Sequence, residues 1–295
     1  MNCQKTLIII KGAGDIATGV AHRLHRCGYG LLLLDLEKPT AIRRTVAFCQ
    51  AMYDGQITIE GVTAERADHD NFRGIMENGR IPVMTVREQL SLNPAEQFEH
   101  HHSCGGVSPL RGAGAAPDWL DTLNPSAFIE ATLSKKNTGL SRKEGRVTLA
   151  LGPGYEAGRD ADAVVETARG HFLGRLILEG PAKANTGKPG LIGGYDLERL
   201  IRSPAAGEVY FDATIGQSVK AGEILGRVDG QPIVAAIDGV LRGALQNGLS
   251  VPPNFKIGDI DPRPEAAGFI HTPSDKARAV AGGVLEGLLH FGVKP

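Results

Sequence analysis

The tightest constraint on this chain is a glycine turn set between a short apolar run and a longer amphipathic one. Leu7 to Ile10 reads as a strand and Ile16 to Cys27 as a helix, and Lys11-Gly12-Ala13-Gly14-Asp15 joins them. Gly12, Gly14 and Ala17 fall on the three small-residue positions of the pattern G-x-G-x-x-G/A. Gly12 permits a tight turn out of the strand. Gly14 lacks the Cβ that would hold a pyrophosphate off the backbone, and Ala17 lets the helix pack close to the sheet. Free N–H groups at the helix start then favour an anion. A second apolar run, Leu31 to Leu34, ends at Asp35, whose carboxylate would accept ribose hydroxyls. Gly12, Gly14, Asp15, Ala17 and Asp35 are therefore the candidate cofactor-binding residues, for NAD(P) or another dinucleotide. Asp35 favours a free 2′-hydroxyl. Lys38, Arg43 and Arg44 beyond it read either as receivers of a 2′-phosphate or as an ordinary solvated face.

Strand and helix signals alternate through the first third of the chain. After Asp35 come Gln56 to Glu60, a polar helix around Asp70 to Asn78, and Ile81 to Val86. Such alternation predicts a parallel α/β sheet, a Rossmann-like domain over residues 1–97. Periodicity fails from Phe98, and residues 98–126 read as a loop or insertion. A mixed α/β region over 127–202 starts with strand-like Ala127 to Leu133 and Arg146 to Leu151. It continues through the turn Gly152-Pro153-Gly154 and the half-buried pattern Phe172 to Leu178.

Residues 203–263 carry an internal repeat. Ser203 to Leu225 and Ala235 to Ile260 each offer short alternating strands split by turn residues at matching places, so two interlocked copies would close one small β-structure. This resembles the barrel-sandwich fold of biotinyl and lipoyl carriers. Those carriers place a modified lysine in the hairpin between repeats; here it reads Val228-Asp229-Gly230-Gln231-Pro232-Ile233, so no covalent biotin or lipoate is expected. Residues 264–295 end in a helix with Ser274 as N-cap and Asp275 in its first turn. Its stripe of Ala277, Val280, Ala281, Val284, Leu285, Leu288 and Leu289 marks core or the interface of a homo-oligomer.

Composition narrows the function classes. At 295 residues and 42% hydrophobic content the chain can bury more than one core, and a net charge of −1 with 5% aromatics makes no electrostatic case for nucleic acid. The four cysteines form no C-x-x-C pair. No apolar run approaches the ~20 residues a membrane helix needs, and Met1 to Gln4 leave no room for a signal peptide before the first strand. A cytoplasmic protein with no membrane partner is expected.

Seven segments together resemble the YqeB family of the selenium-dependent molybdenum hydroxylase system. They are Gly12 to Gly19, Pro39 to Phe48, Lys135-Lys136-Asn137-Thr138-Gly139, Leu151 to Gly154, Glu166 to His171, Asn185 to Gly190 and Lys256 to Arg263. The resemblance implies an accessory or maturation factor for a selenium- or sulfur-dependent molybdenum hydroxylase, with that enzyme or its maturation machinery as partner. It supplies no catalytic residues. The bound dinucleotide would be a redox cofactor or the nucleotide arm of a pyranopterin dinucleotide. Two rival readings are an NAD(P)-dependent oxidoreductase, for which His171 and Lys135 are the proton-transfer candidates, and a non-catalytic, nucleotide-responsive docking scaffold.

Other chemistry is sparse. Cys104, beside His100, His101 and His102, is the cysteine best placed to become a thiolate nucleophile, but within an insertion it reads as a surface-loop thiol. Adjacent histidines diverge on an extended chain, and no metal site is expected. Cys27 and Cys49 read as inert core residues. Asp160, Asp162, Glu166, Arg169 and His171 cluster in sequence, with Glu166 and Arg169 read as helical neighbours and His171 as structural in preference to an acid/base. Thr186-Gly187-Lys188-Pro189 fails as a phosphate loop, because Ala182 and Pro189 stand where glycine and Ser/Thr are required.

Overall fold

The computed structural model describes residues 6–85, 123–187 and 190–295. Its first strands are β1 (Leu7–Lys11), β2 (Gly30–Asp35), β3 (Gln56–Ile59), β4 (Val62–Arg66) and β5 (Ile81–Thr85). They are followed by β6 (Ala127–Glu130), β7 (Thr148–Leu151), β8 (Glu156–Ala157), β9 (Ala163–Val165), β10 (Leu176–Ile177) and β11 (Gly180–Pro181). Nine of these form one sheet in the order β10-β9-β7-β6-β1-β2-β5-β4-β3, parallel from β9 to β4, while β8 and β11 pair apart from it. The antiparallel neighbours β3 and β10 close its two edges.

Near-continuous apolar strands signal a sheet covered on both faces. Ile8, Ile10, Leu31, Leu33 and Ile129 join the core beneath α1 (Asp15–Arg26) and α4 (Asp275–His290). Ile9, Leu32, Leu34 and Phe128 pack in the opposite core with Tyr155 and with Phe72 of α3 (Phe72–Glu77). A fourth helix, α2 (Ala51–Asp54), is one turn long. The helices α1 and α4 lie unusually close, since a Cβ built at Gly19 would come within 2.7 Å of the Ala277 Cβ. Ser274 caps α4 as its sequence predicts, accepting the Ala277 N–H, and the apolar stripe is buried except at Leu285 and Leu289.

One sheet therefore crosses the segments read separately as 1–97 and 127–202, because β1 pairs directly with β6. Strand order reverses at this point. From β1 the chain builds outward through β2 to β5, then returns to lay β6, β7 and β9 on the other side.

The remaining strands are β12 (Leu200–Arg202), β13 (Gly207–Phe211), β14 (Ser218–Val219), β15 (Ile224–Val228), β16 (Gln231–Val234), β17 (Gly239–Ala244), β18 (Ser250–Val251) and β19 (Lys256–Asp261). They form two four-stranded antiparallel sheets, β12-β19-β17-β14 and β16-β15-β13-β18. The repeat is visible in the pairing: β13 pairs with β15 and β18, and β17 pairs with β19 and β14. Each sheet thus takes two strands from one copy and one from the other, around a core that includes Val209, Leu225, Ile233, Leu241 and Ile257.

Three expectations are corrected. Glu166 and Arg169 are not on a helix: β9 ends at Val165 and the chain turns, with the Glu166 carboxylate taking the Ala168 N–H at 2.7 Å and the Lys183 N–H at 2.8 Å. Cys27 is exposed at the C-terminus of α1, whereas Cys49 is buried and its thiol is pushed up by that burial. His171, read as a satisfied structural histidine, is exposed and edge-on to Phe172. His100, His101, His102, Cys104 and Cys3 lie outside the described residues.

Candidate functional site: a basic cleft at the strand reversal

Gly12 leaves β1 with φ +97°, and a Cβ there would sit 2.9 Å from the carbonyl carbon of Ala131, just beyond β6. Only glycine fits both conditions. The Gly12 N–H donates to the Leu34 carbonyl at 2.7 Å. Asp35, at the end of β2, then holds the turn itself: one carboxylate oxygen accepts the Ala13 N–H at 2.6 Å and the other the Leu36 N–H at 2.7 Å. Burial raises its carboxyl to about 6, against the opposing pull of these two N–H bonds. Gly14 is the N-cap of α1, without a side-chain cap, and a Cβ built on it meets nothing within 4 Å. Ala17 is buried against the sheet. The five sequence-predicted residues are brought together, with Asp35 serving the turn first.

The cations beyond Asp35 divide. Lys38 is exposed. Arg43 is 8% exposed and donates to Asp15 at 3.2 Å, while its Nε has no hydrogen-bond partner among the described residues. Arg44 donates to the Ala244 carbonyl at 2.8 Å and to Gln246 at 2.9 Å, and the Ala244 N–H donates to the Ile42 carbonyl at 2.9 Å. Segment 42–44 is thus a strap tying the large sheet to the small ones, not a solvated face.

Outside the carboxyl ends of β6, β7 and β9, between the large sheet and the two small sheets, lies a cavity of about 920 Å³. One wall carries Lys135, Arg169 and Lys183, the other Arg199, Arg202 and Lys256, and Lys276 enters from the first turn of α4. Among the described residues no carboxylate lines it, although the whole chain has a net charge of only −1. The concentration of charge is local. Asp15, at the start of α1, is among the charges that act on Lys256 and Lys276.

Segments that carry the family resemblance supply Lys135, Arg169 and Lys256 to these walls. Lys135 and Leu133 adopt left-handed backbone, φ +67° and +56°, in the loop after β6. Such conformations cost on the order of 1 kcal/mol each and persist only where the surroundings impose them. Gly154 leaves room for this loop: any Cβ on it would overlap the Lys136 backbone. Arg169 is held by Asp275 through contacts of 2.8 and 3.3 Å, which keep that carboxyl below its usual range. On the far wall Arg199 pairs with Asp259, and Arg242 spans Asp259 and Asp261. Sequence reasoning missed this cleft as a whole. The only signal was the shared placement of cations in the otherwise unrelated segments around Lys135, Arg169 and Lys256.

Behind the wall, at the ends of β1 and β6, Lys11 meets Glu130 at 3.2 Å and donates to Thr138 at 3.2 Å. Glu130 also accepts from Thr132, and Ser134 meets the Tyr155 hydroxyl at 3.1 Å. Burial, with Glu130 nearby, pushes the Tyr155 phenol well up. His171 is not among the residues lining the cleft; Lys135 is. Among the described residues no three or more His, Cys, Asp or Glu side chains are grouped to hold a metal. Nor is any helix long and apolar enough to cross a membrane.

No protein-family profile matches the chain. It is 45% identical over 292 residues, 98% of its length, to the Escherichia coli K12 protein named "Uncharacterized protein YqeB". The chain spans 49% of that relative's length. A succinylglutamate desuccinylase/aspartoacylase structure from Rhodobacter sphaeroides aligns over 88% of this chain and 86% of that one. With 9% identity and a TM-score of 0.25, this likeness carries no argument.

Proposed function

We propose that this chain is a YqeB-family protein whose Rossmann-like sheet binds a dinucleotide at Gly12 to Ala17, as an accessory factor in molybdenum hydroxylase maturation. The observation that carries the binding reading is the open space over Gly14 at the start of α1, next to Asp15, whose charge acts on two lysines of a cleft with no anionic lining residue among those described. Ligands of open α/β sheets bind outside the carboxyl ends of the strands where strand order reverses, and here that point lies between β1 and β6. The residues present fit a pyrophosphate: backbone approach at Gly14 and free N–H groups at the helix start, with Lys276 within electrostatic reach of Asp15. A nicotinamide dinucleotide supplies hydride chemistry, and a pyranopterin dinucleotide supplies the metal-binding arm of a molybdenum cofactor.

The maturation role rests on the YqeB resemblance, supported by 45% identity across nearly the whole chain. The paired repeats, read as a barrel-sandwich unit, carry Asp229-Gly230 at the β15–β16 tip, a position suited to packing or docking. The oxidoreductase alternative would use Lys135, which lines the cleft, in preference to His171, which does not.

The test has two arms. NAD, NADP, FAD and pterin dinucleotides are screened by thermal shift. A ligand at 100 times its Kd adds about 2.7 kcal/mol, a shift of several degrees for a chain of this size. In a deletion strain the hydroxylase polypeptide should accumulate normally but lack activity and its terminal sulfido or selenido ligand. Full activity in that strain sinks the maturation role, and no shift with any dinucleotide sinks the binding reading.

A further inference from the structure

Two lysines in the cleft lack what half-buried lysines normally have. Neither Lys256, at the start of β19, nor Lys276, in the first turn of α4, has a hydrogen bond or ion pair from its ammonium among the described residues. Both are only partly exposed. Their electrostatic neighbours include further cations: Arg199 and Arg242 for Lys256, Arg169 and Lys135 for Lys276. The acids they feel do not supply a close partner. Asp259 is taken by Arg199 and Arg242, Asp15 by Arg43, and Glu166 by two backbone N–H groups. Arg199 is 7% exposed, lines the same cleft, and its Nε has no hydrogen-bond partner among the described residues.

Desolvating a cation without a partner is unfavourable, and placing like charges beside it adds to the cost. Burial accordingly lowers both lysines from their ordinary range. A fold needs no such arrangement for its own stability. A multiply charged anion reverses the balance, since each ammonium then makes a charge-assisted hydrogen bond in a partly dry site.

We propose that Lys256, Lys276 and Arg199 form a phosphate subsite distinct from the pyrophosphate position at the glycine turn. The ligand it takes is a phosphate monoester dianion, so the dinucleotide read for this cleft carries a phosphoryl group beyond its pyrophosphate. This last clause rests on the dinucleotide reading; the subsite itself does not. Lys256 belongs to the small sheets and Lys276 to a helix on the large one, so the subsite draws on both walls of the cleft.

Inorganic phosphate is the probe that separates the two readings. Binding of phosphate, NAD and NADP is measured by titration calorimetry on the full chain and on Lys256→Met, Lys276→Met and Gly14→Val. Methionine retains the aliphatic stem, and each variant is first checked for a native melting transition. The expected result is saturable phosphate binding that weakens about tenfold or more in each lysine variant and persists in Gly14→Val. NADP should bind more tightly than NAD, with that preference lost in Lys256→Met or Lys276→Met. Gly14→Val should lose both dinucleotides. If phosphate binds but no dinucleotide does, the subsite stands and the dinucleotide reading fails. The subsite is overturned if phosphate does not saturate the native chain, or if the lysine variants bind it as well as the native chain does.

Discussion

The carboxylate of Asp35 accepts the backbone N–H of Ala13 at 2.6 Å, so the end of β2 fixes the conformation of the turn that follows β1. An acidic residue at this position is ordinarily read for what it offers a ribose. Here its first role is to the protein. Asp35 restrains the turn from one side while the space over Gly14 stays open.

That restraint has a pH signature. Burial raises the Asp35 carboxyl from 3.8 to about 6, so the folded state binds a proton more readily than the unfolded chain. The contribution of this group is therefore fullest below pH 4 and is lost as pH rises through about 6. Urea unfolding at pH 4.5 and 7.5 should show native protein losing about 1–3 kcal/mol relative to Asp35→Asn over that interval. Parallel curves for the two proteins would remove the buried carboxyl from the account.

The two turn glycines should respond oppositely to a methyl group. Gly12→Ala places a Cβ against Ala131 on left-handed backbone and should destabilise by about 2–4 kcal/mol. Gly14→Ala enters open space at negative φ and should cost less than about 1 kcal/mol, the weight of an altered N-cap. Its effect should fall on dinucleotide binding instead. Denaturant melts paired with thermal shifts distinguish the cases, and equal stability losses would contradict them.

Lys11 and Glu130 form a pair whose side chains are 11% and 1% exposed. Removing one charge leaves the other buried without compensation, so Glu130→Gln should cost about 3 kcal/mol or more. The double variant Lys11→Met/Glu130→Gln should recover much of that loss. A double-mutant cycle measures the coupling, and additivity of the two changes would show that the charges do not interact.

Local patterns carried much of this architecture. Strands β1, β2 and β5 and helix α1 lie within one or two residues of their sequence expectations, because apolar runs bounded by Gly and Asp are local signals. The repeat raised the expectation of interlocked copies, and β13 and β17 each pair with a strand of either copy. Strand β4 was not read, since Val62–Arg66 mixes polar and apolar residues and owes its place to pairing with β5. Nor was the continuity of the sheet legible. The pairing of Ile8 with Ala127 joins residues far apart in sequence, and no local period encodes it. The cleft is harder still, because Lys135, Arg199, Lys256 and Lys276 each look like an ordinary surface cation until the fold assembles them. Arg43 was ambiguous for the related reason that burial is a tertiary property.

The strap at residues 42–44 gives the cleft a mechanical character. The Ala244 N–H donates to the Ile42 carbonyl and the Ala244 carbonyl accepts from the Arg44 guanidinium, so the large and small sheets are joined by one main-chain bond and one side-chain bond to the main chain. Such a joint resists gaping far better than a contact between side chains. The gap between the walls then works as a caliper: a ligand is selected by whether its charged groups are spaced to match a fixed opening, and one that is too short leaves the far jaw empty.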